Sequence, residues 1–151
     1  MLPTPYSPRL TRAIAMSHAA AVRLGHSHVG IEQLLLGLLA LGEGSALRML
    51  ASVGVTPDLL EPQLNSGHAG HQHPAGHQAL HPLTAEAENA LYIAGREARF
   101  WESDQVETMH LLLALLRDDD TRIARLLDTY GVQYQSLFDI AAYDRVGLRF
   151  A

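Results

Sequence analysis

The sequence contains an internal duplication, which constrains its fold more than any other feature. A shift of 77 positions places residues 6–64 on residues 83–141 without a gap, and thirteen of the 59 aligned pairs are identical. The identical pairs fall mostly on apolar and turn positions, which determine packing and backbone course. Since one unit of this size buries its own apolar face poorly, duplicated units pack together. The duplication predicts a single domain, residues 1–151, whose two similar halves share one core.

Each copy shows the apolar periodicity of α-helices. In the first copy, four helices are predicted, at 8–24, 31–41, 45–53 and from Pro57 onward. In the second copy, the corresponding helices are predicted from the cap Thr84 to Trp101, at 108–116, at 120–130, and from near Gln133. Gly54 and Gly131 suit the left-handed conformation that commonly follows a helix. The predicted fold is all-α, with eight helices and no strand.

The segment between the copies differs from them in composition. Residues 65–82 contain five His, three Gly and two Pro and no residue that carries a formal charge. So little apolar surface cannot offset the entropy of ordering the chain, which predicts a mobile linker. The predicted organisation is therefore repeat one at 6–64, the linker at 65–82, repeat two at 83–141, and a short tail at 142–151.

The composition excludes several classes of function. All eleven basic residues are Arg, which excludes Schiff-base lysines and the phosphate-binding lysine of nucleotide-binding loops. The absence of Cys excludes thiol nucleophiles and cysteine-ligated zinc, and is consistent with a reducing compartment. A net charge of −5 without a basic cluster argues against nucleic acid as a partner. No Ser, His and Asp stand at a spacing that indicates a hydrolase, so we expect no enzymatic activity.

The apolar stretches indicate no membrane partner. The longest, residues 34–41, is far shorter than the roughly 20 residues that a membrane span requires. The N-terminal residues lack the basic and then apolar organisation of a secretory signal. We therefore expect a cytoplasmic protein.

One segment resembles a known family. Residues 21–39, AVRLGHSHVGIEQLLLGLL, followed by GEG at 42–44 and Gly54-Val55, closely resemble the N-terminal Clp repeat domain, which precedes the ATPase modules of ClpA- and ClpC-type unfoldases. The resemblance covers residues 6–141. It implies a pseudo-twofold bundle of two four-helix Clp repeats that binds proteins or peptides and needs no cofactor. The implied partners are Clp substrates, adaptors or unfoldase components, and the implied role is that of an adaptor, decoy or regulator.

The resemblance also implies ligand-binding residues. In ClpC-type relatives, an acid at the position of Glu32 and the hydroxyl cap at Ser7 resemble part of a pocket for phosphorylated arginine. The symmetric pocket would use Thr84 and the residue at Met109. Because a thioether cannot accept the paired hydrogen bonds of a guanidinium, at most one pocket is expected to be intact. The predicted peptide-binding residues are Ser7, Pro8, Glu32, Thr84 and Thr108.

Structural roles are the alternatives for these residues. Glu32 lies in the first turn of its helix, where the helix dipole stabilises any acid by about 0.3 to 1 kcal/mol. Ser7 and Thr84 are of the residue types that cap helices. A ligand role and a capping role both remain open from the sequence.

Two further clusters have structural interpretations. The acids at 118–120 precede a helix and are predicted to cap it. The aromatic residues Tyr92, Phe100 and Trp101 are predicted to lie in the core or between the repeats, whereas exposure of these rings would favour peptide binding.

The linker histidines suggest an alternative function. A flexible chain could fold their imidazoles around Zn(II), Ni(II) or Cu(II), which would make the protein a metal-responsive binder or chaperone. Without cysteines, carboxylates or a rigid scaffold, the entropy of ordering the segment opposes a tight site. The candidate metal ligands are His68, His71, His73, His77 and His81.

Overall fold

The computed structural model describes residues 3–65 and 81–150, and these residues form eight α-helices and no β-sheet. The predicted all-α class and the number of helices are confirmed. The helices are α1 Pro8–Arg23, α2 Ile31–Leu41, α3 Ser45–Ser52, α4 Pro57–Asn65, α5 Ala85–Phe100, α6 Thr108–Arg117, α7 Arg122–Thr129 and α8 Tyr134–Phe150.

The first helix of each repeat begins in the same way. Ser7 and Thr84 have extended backbones, and their Oγ atoms accept hydrogen bonds of 3.1 Å from the backbone N–H groups of Leu10 and Ala87. Each cap satisfies a backbone donor that the helix itself leaves unpaired, and contributes about 1 kcal/mol. The predicted capping role of both residues is confirmed.

The second helix of each repeat lies at the centre of the bundle. In α2, residues 33–39 are all buried, and in α6, residues 110–116 are all buried. A helix that is apolar nearly all round must be covered on every side. Each fully buried leucine contributes about 1.5 to 3 kcal/mol. One continuous hydrophobic cluster draws on both repeats, as the duplication predicted.

Each repeat extends a short segment onto the other repeat. Ser7 N donates to the carbonyl of Val106, and Thr84 N donates to the carbonyl of Val29, both at 2.9 Å. Since Ser7 and Thr84 are 77 positions apart, as are Val29 and Val106, the two contacts are equivalent. This exchange confirms the pseudo-twofold arrangement. It also places the start of each first helix beside the second helix of the opposite repeat.

The third helix of the second repeat begins later than predicted. It starts at Arg122, and the Thr121 Oγ1 caps it by accepting a 3.0 Å hydrogen bond from Ala124 N. The prediction that the acids at 118–120 cap this helix is wrong. Instead, Asp118 Oδ1 accepts from Asp120 N at 3.0 Å, in a turn before the helix. Asp and Thr are both good caps, and the turn at Asp118 leaves the threonine next to the helix.

The last helix is longer than predicted. The sequence predicts short fourth helices and assigns no structure to the tail at 142–151, whereas α8 continues to Phe150. Residues 142–146 contain neither Gly nor Pro, so nothing in them terminates the helix that begins at Tyr134.

Within the described ranges, no single helix is long and apolar enough to cross a membrane. Helices α2 and α3 together reach that length and apolar content, but they meet at an angle of 89°.

Candidate functional site

The N-termini of three helices, α2, α5 and α7, converge at one shallow pocket of about 500 Å³. The pocket lies between the repeats, because α2 belongs to the first repeat and α5 and α7 to the second. Helix N-termini carry unpaired N–H groups and partial positive charge, which favours anions. We call this site the α2 pocket, and its charged and hydroxyl residues include Glu32, Thr84, Glu86, Asp120, Thr121 and Arg122.

Glu32 of the α2 pocket binds a guanidinium from the opposite repeat. Arg122 Nη1 donates to Glu32 Oε1 at 3.1 Å and to Oε2 at 3.3 Å, and Arg122 Nη2 donates to the Gln63 carbonyl at 3.4 Å. The Glu32 side chain is only 16% exposed, whereas that of Arg122 is 49% exposed. The carboxylate is therefore a fixed and partly desolvated acceptor, and the arginine that meets it comes from the solvent side.

The pocket carries charges of both signs. Its carboxylates belong to Glu32, Glu86 and Asp120, and its guanidinium belongs to Arg122. The N-termini of the three helices that line the pocket add partial positive charge. A ligand with a cationic part and an anionic part matches this arrangement better than a simple anion or a simple cation.

The structure brings Glu32 together with Thr84, and not with Ser7. Thr84 lines the α2 pocket, and its side chain lies 3.7 Å from the position that a Cβ on Gly30 would occupy. Ser7 is buried and lies against Val106 in the second repeat. The predicted pairing of Glu32 with Ser7 is therefore wrong, because the exchanged segments cross between the repeats. Pro8, the first residue of α1, is exposed at the Ser7 end of the molecule.

Thr108 has a structural position rather than an open one. It is 1% exposed, and its Oγ1 accepts from Ala46 N at 3.1 Å and lies 3.2 Å from Ser45 Oγ. Ser45 Oγ in turn accepts from Met109 N at 3.1 Å. These two hydroxyls cap the N-termini of α3 and α6 reciprocally. At the place equivalent to the α2 pocket, internal hydrogen bonds thus bridge the two helix ends.

The third residue of each central helix closes its first turn with different chemistry. Gln33 Oε1 accepts from Gly30 N, and His110 Nδ1 accepts from Glu107 N, both at 2.8 Å. His110 is buried, and desolvation lowers its pKa from 6.5 to about 4. The imidazole is therefore neutral at pH 7, as its acceptor role requires.

The predicted metal ligands fall largely outside the described residues. His68, His71, His73 and His77 lie there, and His81 is partly buried at the start of the second described range. Among residues 3–65 and 81–150, no group of three or more His, Asp or Glu is placed to hold a metal ion. Metal binding by the linker stays a prediction.

The aromatic residues are more exposed than predicted. Tyr92 is 63% exposed and Phe100 is 64% exposed, whereas Trp101 is partly buried against the core. The prediction of core positions is wrong for Tyr92 and Phe100. Helical periodicity does not distinguish the edge of a buried face from its centre, and both residues lie beside that face.

Sequence reasoning missed the residues that complete the α2 pocket, Thr121 and Arg122. Arg122 occupies the duplicate position of Ser45, and Thr121 that of Gly44. The available signal was a charged residue, Arg122, at the duplicate position of the capping residue Ser45. Its pairing with Glu32 could not be predicted, because it depends on the contacts exchanged between the repeats.

The comparisons agree with this architecture. The family described as the Clp repeat N-terminal domain matches residues 5–130. The chain belongs to this family. The N-terminal domain of the chaperone ClpD from Arabidopsis thaliana has the same fold, with a TM-score of 0.71 at 23% identity over 97% of each chain. The predicted family is therefore confirmed.

Two relatives are full-length Clp proteins. The chaperone protein ClpB of Oceanobacillus iheyensis is 33% identical over 127 residues, which cover 84% of this chain and 15% of that protein. The negative regulator of genetic competence ClpC/MecB of Bacillus subtilis is 32% identical over 127 residues, with the same shares of each chain. The chain thus spans about 15% of the length of these relatives.

Proposed function

We propose that this Clp repeat domain is a non-catalytic module that binds other polypeptides, and that the α2 pocket holds an arginine-phosphate group of the bound chain. The observation that carries the proposal is that Glu32 already binds a guanidinium while residues at three helix N-termini line the same pocket. A phosphorylated arginine combines a guanidinium-type cation with a phosphate, and the pocket offers an acceptor for each part.

The energies favour such a ligand over its separate parts. A hydrogen bond to a charged group contributes about 1.5 to 3 kcal/mol when its partner is partly desolvated, as Glu32 is. A phosphate without a cation would meet the carboxylates of Glu86 and Asp120 as well as the helix N-termini. An unmodified arginine would leave the helix N-termini without an anion. The joined group offers a cation to Glu32 and an anion to the helix N-termini at once.

Isothermal titration calorimetry tests this function. The probes are one peptide prepared with phosphoarginine, the same peptide with arginine, and the same peptide with phosphoserine. We expect binding of the phosphoarginine peptide, and a loss of about tenfold in affinity for Glu32→Gln, which keeps the shape but removes the charge. Glu43→Gln is the control, because it makes the same substitution outside the α2 pocket, at the position of the first repeat that is equivalent to Asp120. Equal affinities for all three peptides, or no effect of Glu32→Gln, would refute this use of the pocket.

The cellular role that fits this activity is that of an adaptor, decoy or regulator of a Clp unfoldase in the cytoplasm. In these relatives the matching segment makes up about 15% of the protein, so the partners of the whole protein are a separate question from what the pocket binds. Crosslinking in cell extract, followed by identification of the captured proteins, tests this role. Capture of Clp unfoldase components or their substrates by the unaltered chain, reduced for Glu32→Gln, is the expected result.

A further inference from the structure

A second groove lies on the second repeat, away from the α2 pocket. It runs between α5 and α8 and ends at the last residue of α6, with a volume of about 310 Å³. We call it the aromatic groove, and its lining includes Ile93, Arg96, Phe100, Arg117, Tyr134 and Phe138.

Three aromatic rings that line the groove form a cluster with a fourth ring, that of Trp101. Phe100 meets Trp101 edge to face, with centroids 5.3 Å apart and planes at 87°, and Trp101 lies 5.0 Å from Phe138. Phe138 also contacts Phe100 at 5.8 Å and Tyr134 at 5.9 Å. Phe100 is nevertheless 64% exposed, so its ring is held in place by the cluster while most of its surface faces solvent. A fixed, exposed ring can stack on a partner at low entropic cost.

The polar groups at the floor of the groove are already satisfied. Glu97 is only 5% exposed, and its Oε1 accepts a 2.8 Å hydrogen bond from the Tyr134 hydroxyl and lies 3.7 Å from Arg117 Nε. The Arg117 guanidinium also lies 4.8 Å from the centre of the Tyr134 ring. Burial and the neighbouring Glu97 carboxylate raise the pKa of Tyr134 to about 12, so the hydroxyl keeps its proton at pH 7. The floor therefore favours an apolar group.

The exposed charges at the rim are cationic. Arg96 is exposed and has no acidic partner among the residues that the structure describes, and the Arg117 side chain is 52% exposed. The acid that lines the groove, Glu97, is buried beneath them. Because the charge of Arg117 is paired with that of Glu97, Arg96 is the cation of this rim that complements a carboxylate.

The packing of a repeat does not require this groove. In the first repeat, the duplicate positions of Phe100 and Phe138 are occupied by Arg23 and Glu61, and that of Arg96 by Ala19. The first repeat forms four corresponding helices, the last of them shorter, without the aromatic cluster. The cluster is therefore specific to the second repeat.

We propose that the aromatic groove is a docking site for a peptide segment that places an aromatic side chain against Phe100 and Phe138 and an adjacent carboxylate against Arg96. This site is independent of the α2 pocket, so the domain would hold one bound polypeptide, or two different ones, at two points. Two weak contacts on one chain multiply into a tight one when the connecting segment spans both sites.

Trp101 makes this docking directly measurable, because it is the only tryptophan in the chain and belongs to the cluster. The probe is a capped peptide containing Phe-Glu-Glu, titrated while the Trp101 emission is recorded. The comparison peptides contain Ala-Glu-Glu and Phe-Lys-Lys. We expect a saturable change with Phe-Glu-Glu alone, and about tenfold weaker binding for Phe100→Ala.

Matched variants separate docking from general effects on the surface. Arg96→Glu is expected to weaken binding about threefold or more, whereas Arg48→Glu reverses the charge of an exposed arginine in the first repeat and is expected to have no effect. Tyr92→Ala removes a similarly exposed ring from a different part of α5 and is expected to have no effect. Glu32→Gln is also expected to leave this binding unchanged, which separates it from the α2 pocket.

Three results would overturn the inference. One is equal binding of the Phe-Glu-Glu and Ala-Glu-Glu peptides. Another is equal loss of binding in Phe100→Ala and Tyr92→Ala. The last is a change in Trp101 emission that follows protein concentration without any peptide and disappears with Phe100→Ala, because a second copy of the chain would then occupy the groove.

Discussion

The first turns of α2 and α6 occupy equivalent places in the two repeats, but they end in opposite environments. At α6, the hydroxyls of Ser45 and Thr108 accept from the backbone of each other's helices and close the space between them. At α2, the residue equivalent to Ser45 is Arg122, which reaches to Glu32 across a pocket of about 500 Å³. The same backbone arrangement thus supports a hydrogen-bonded contact between helix ends in one half and an open, charged pocket in the other.

The two helix ends differ in the length of the side chain at this position, which is serine at one end and arginine at the other. A serine hydroxyl reaches only the neighbouring helix end, so it must approach closely and exclude other groups. An arginine spans the gap and leaves the helix ends lining a cavity. Half-exposed ion pairs contribute only about 0 to 1 kcal/mol, so the Arg122–Glu32 pair can separate at low cost. The contact between Ser45 and Thr108 is instead part of the core.

The largest expected effect concerns how closely the first two helices of each repeat pack against each other. A Cβ added to Gly37 in α2 would lie 2.2 Å from the carbonyl oxygen of Ala13 and 2.9 Å from Ser17 N, both in α1. The duplicate position in α6 is Ala114, which is buried. We expect Gly37→Ala to lower the free energy of unfolding by about 3 kcal/mol, because backbone atoms of α1 must move apart. Urea denaturation followed by helical circular dichroism measures it.

Two variants control for the chemistry of the change. Gly95→Ala is the same substitution in α5, where nothing lies within 4 Å of the new Cβ, and it should be neutral or stabilise by up to about 1 kcal/mol. Ala114→Gly should cost about 1 kcal/mol, through helix propensity and a lost methyl contact. If Gly37→Ala were as well tolerated as Gly95→Ala, the two repeats would not differ in helix spacing.

The second test concerns acid. His110 has a folded-state pKa of about 4 and an unfolded-state pKa of 6.5, so the unfolded chain binds more protons between these values. The stability that depends on neutral His110 is complete above pH 6.5 and is lost as the pH falls towards 4, by about 3 kcal/mol. His110→Gln copies Gln33 from the first repeat and keeps an acceptor for Glu107 N. We expect this variant to lose less stability than the unaltered protein between pH 7 and pH 4.5.

Unfolding free energies at pH 7, 5.5 and 4.5 measure the effect as a difference between the two proteins, which removes the shared contribution of carboxylates. His28→Gln is the control, because His28 is exposed. Identical pH profiles for the unaltered protein and His110→Gln would mean that His110 is not held neutral by burial.

Much of the fold could be predicted from the sequence, because it depends on local and repeated signals. The caps Ser7 and Thr84 and the apolar run of α2 each determine structure within a few residues of themselves. The start of α7 was less certain, since Asp118 and Thr121 offer competing caps. The extent of α8 was missed because the chain beyond residue 141 has no duplicate in the first repeat with which to compare it.

The site was less predictable, because it is made between repeats. Glu32 and Thr84 were identified through a family resemblance, which paired Glu32 with Ser7 of the same repeat. Their neighbourhood depends on the exchanged segments at Val29 and Val106, which bring Thr84 to α2 and Ser7 to α6. Long-range pairing of this kind leaves little periodic signal, and the same applies to the contact between Glu32 and Arg122, which are 90 residues apart.

The smallest expected effect concerns Arg122 in the α2 pocket. Arg122→Ser copies Ser45 and removes the guanidinium that Glu32 binds in the absence of any partner. If the α2 pocket takes an arginine-phosphate group, Arg122 competes with it for the carboxylate, and the variant should bind the phosphoarginine peptide about threefold more tightly. Calorimetry measures this, and Arg125→Ser, which removes an exposed pair with Asp120, is the control.

The direction of the change has a definite meaning. Tighter binding by Arg122→Ser means that the guanidinium is an internal substitute for the ligand, displaced when a partner docks. Weaker binding means that Arg122 contacts the ligand phosphate and belongs to the site itself, which would contradict the competition. An unchanged affinity would show that the Glu32–Arg122 pair only connects the two repeats. The two halves would then differ in chemistry but not in function.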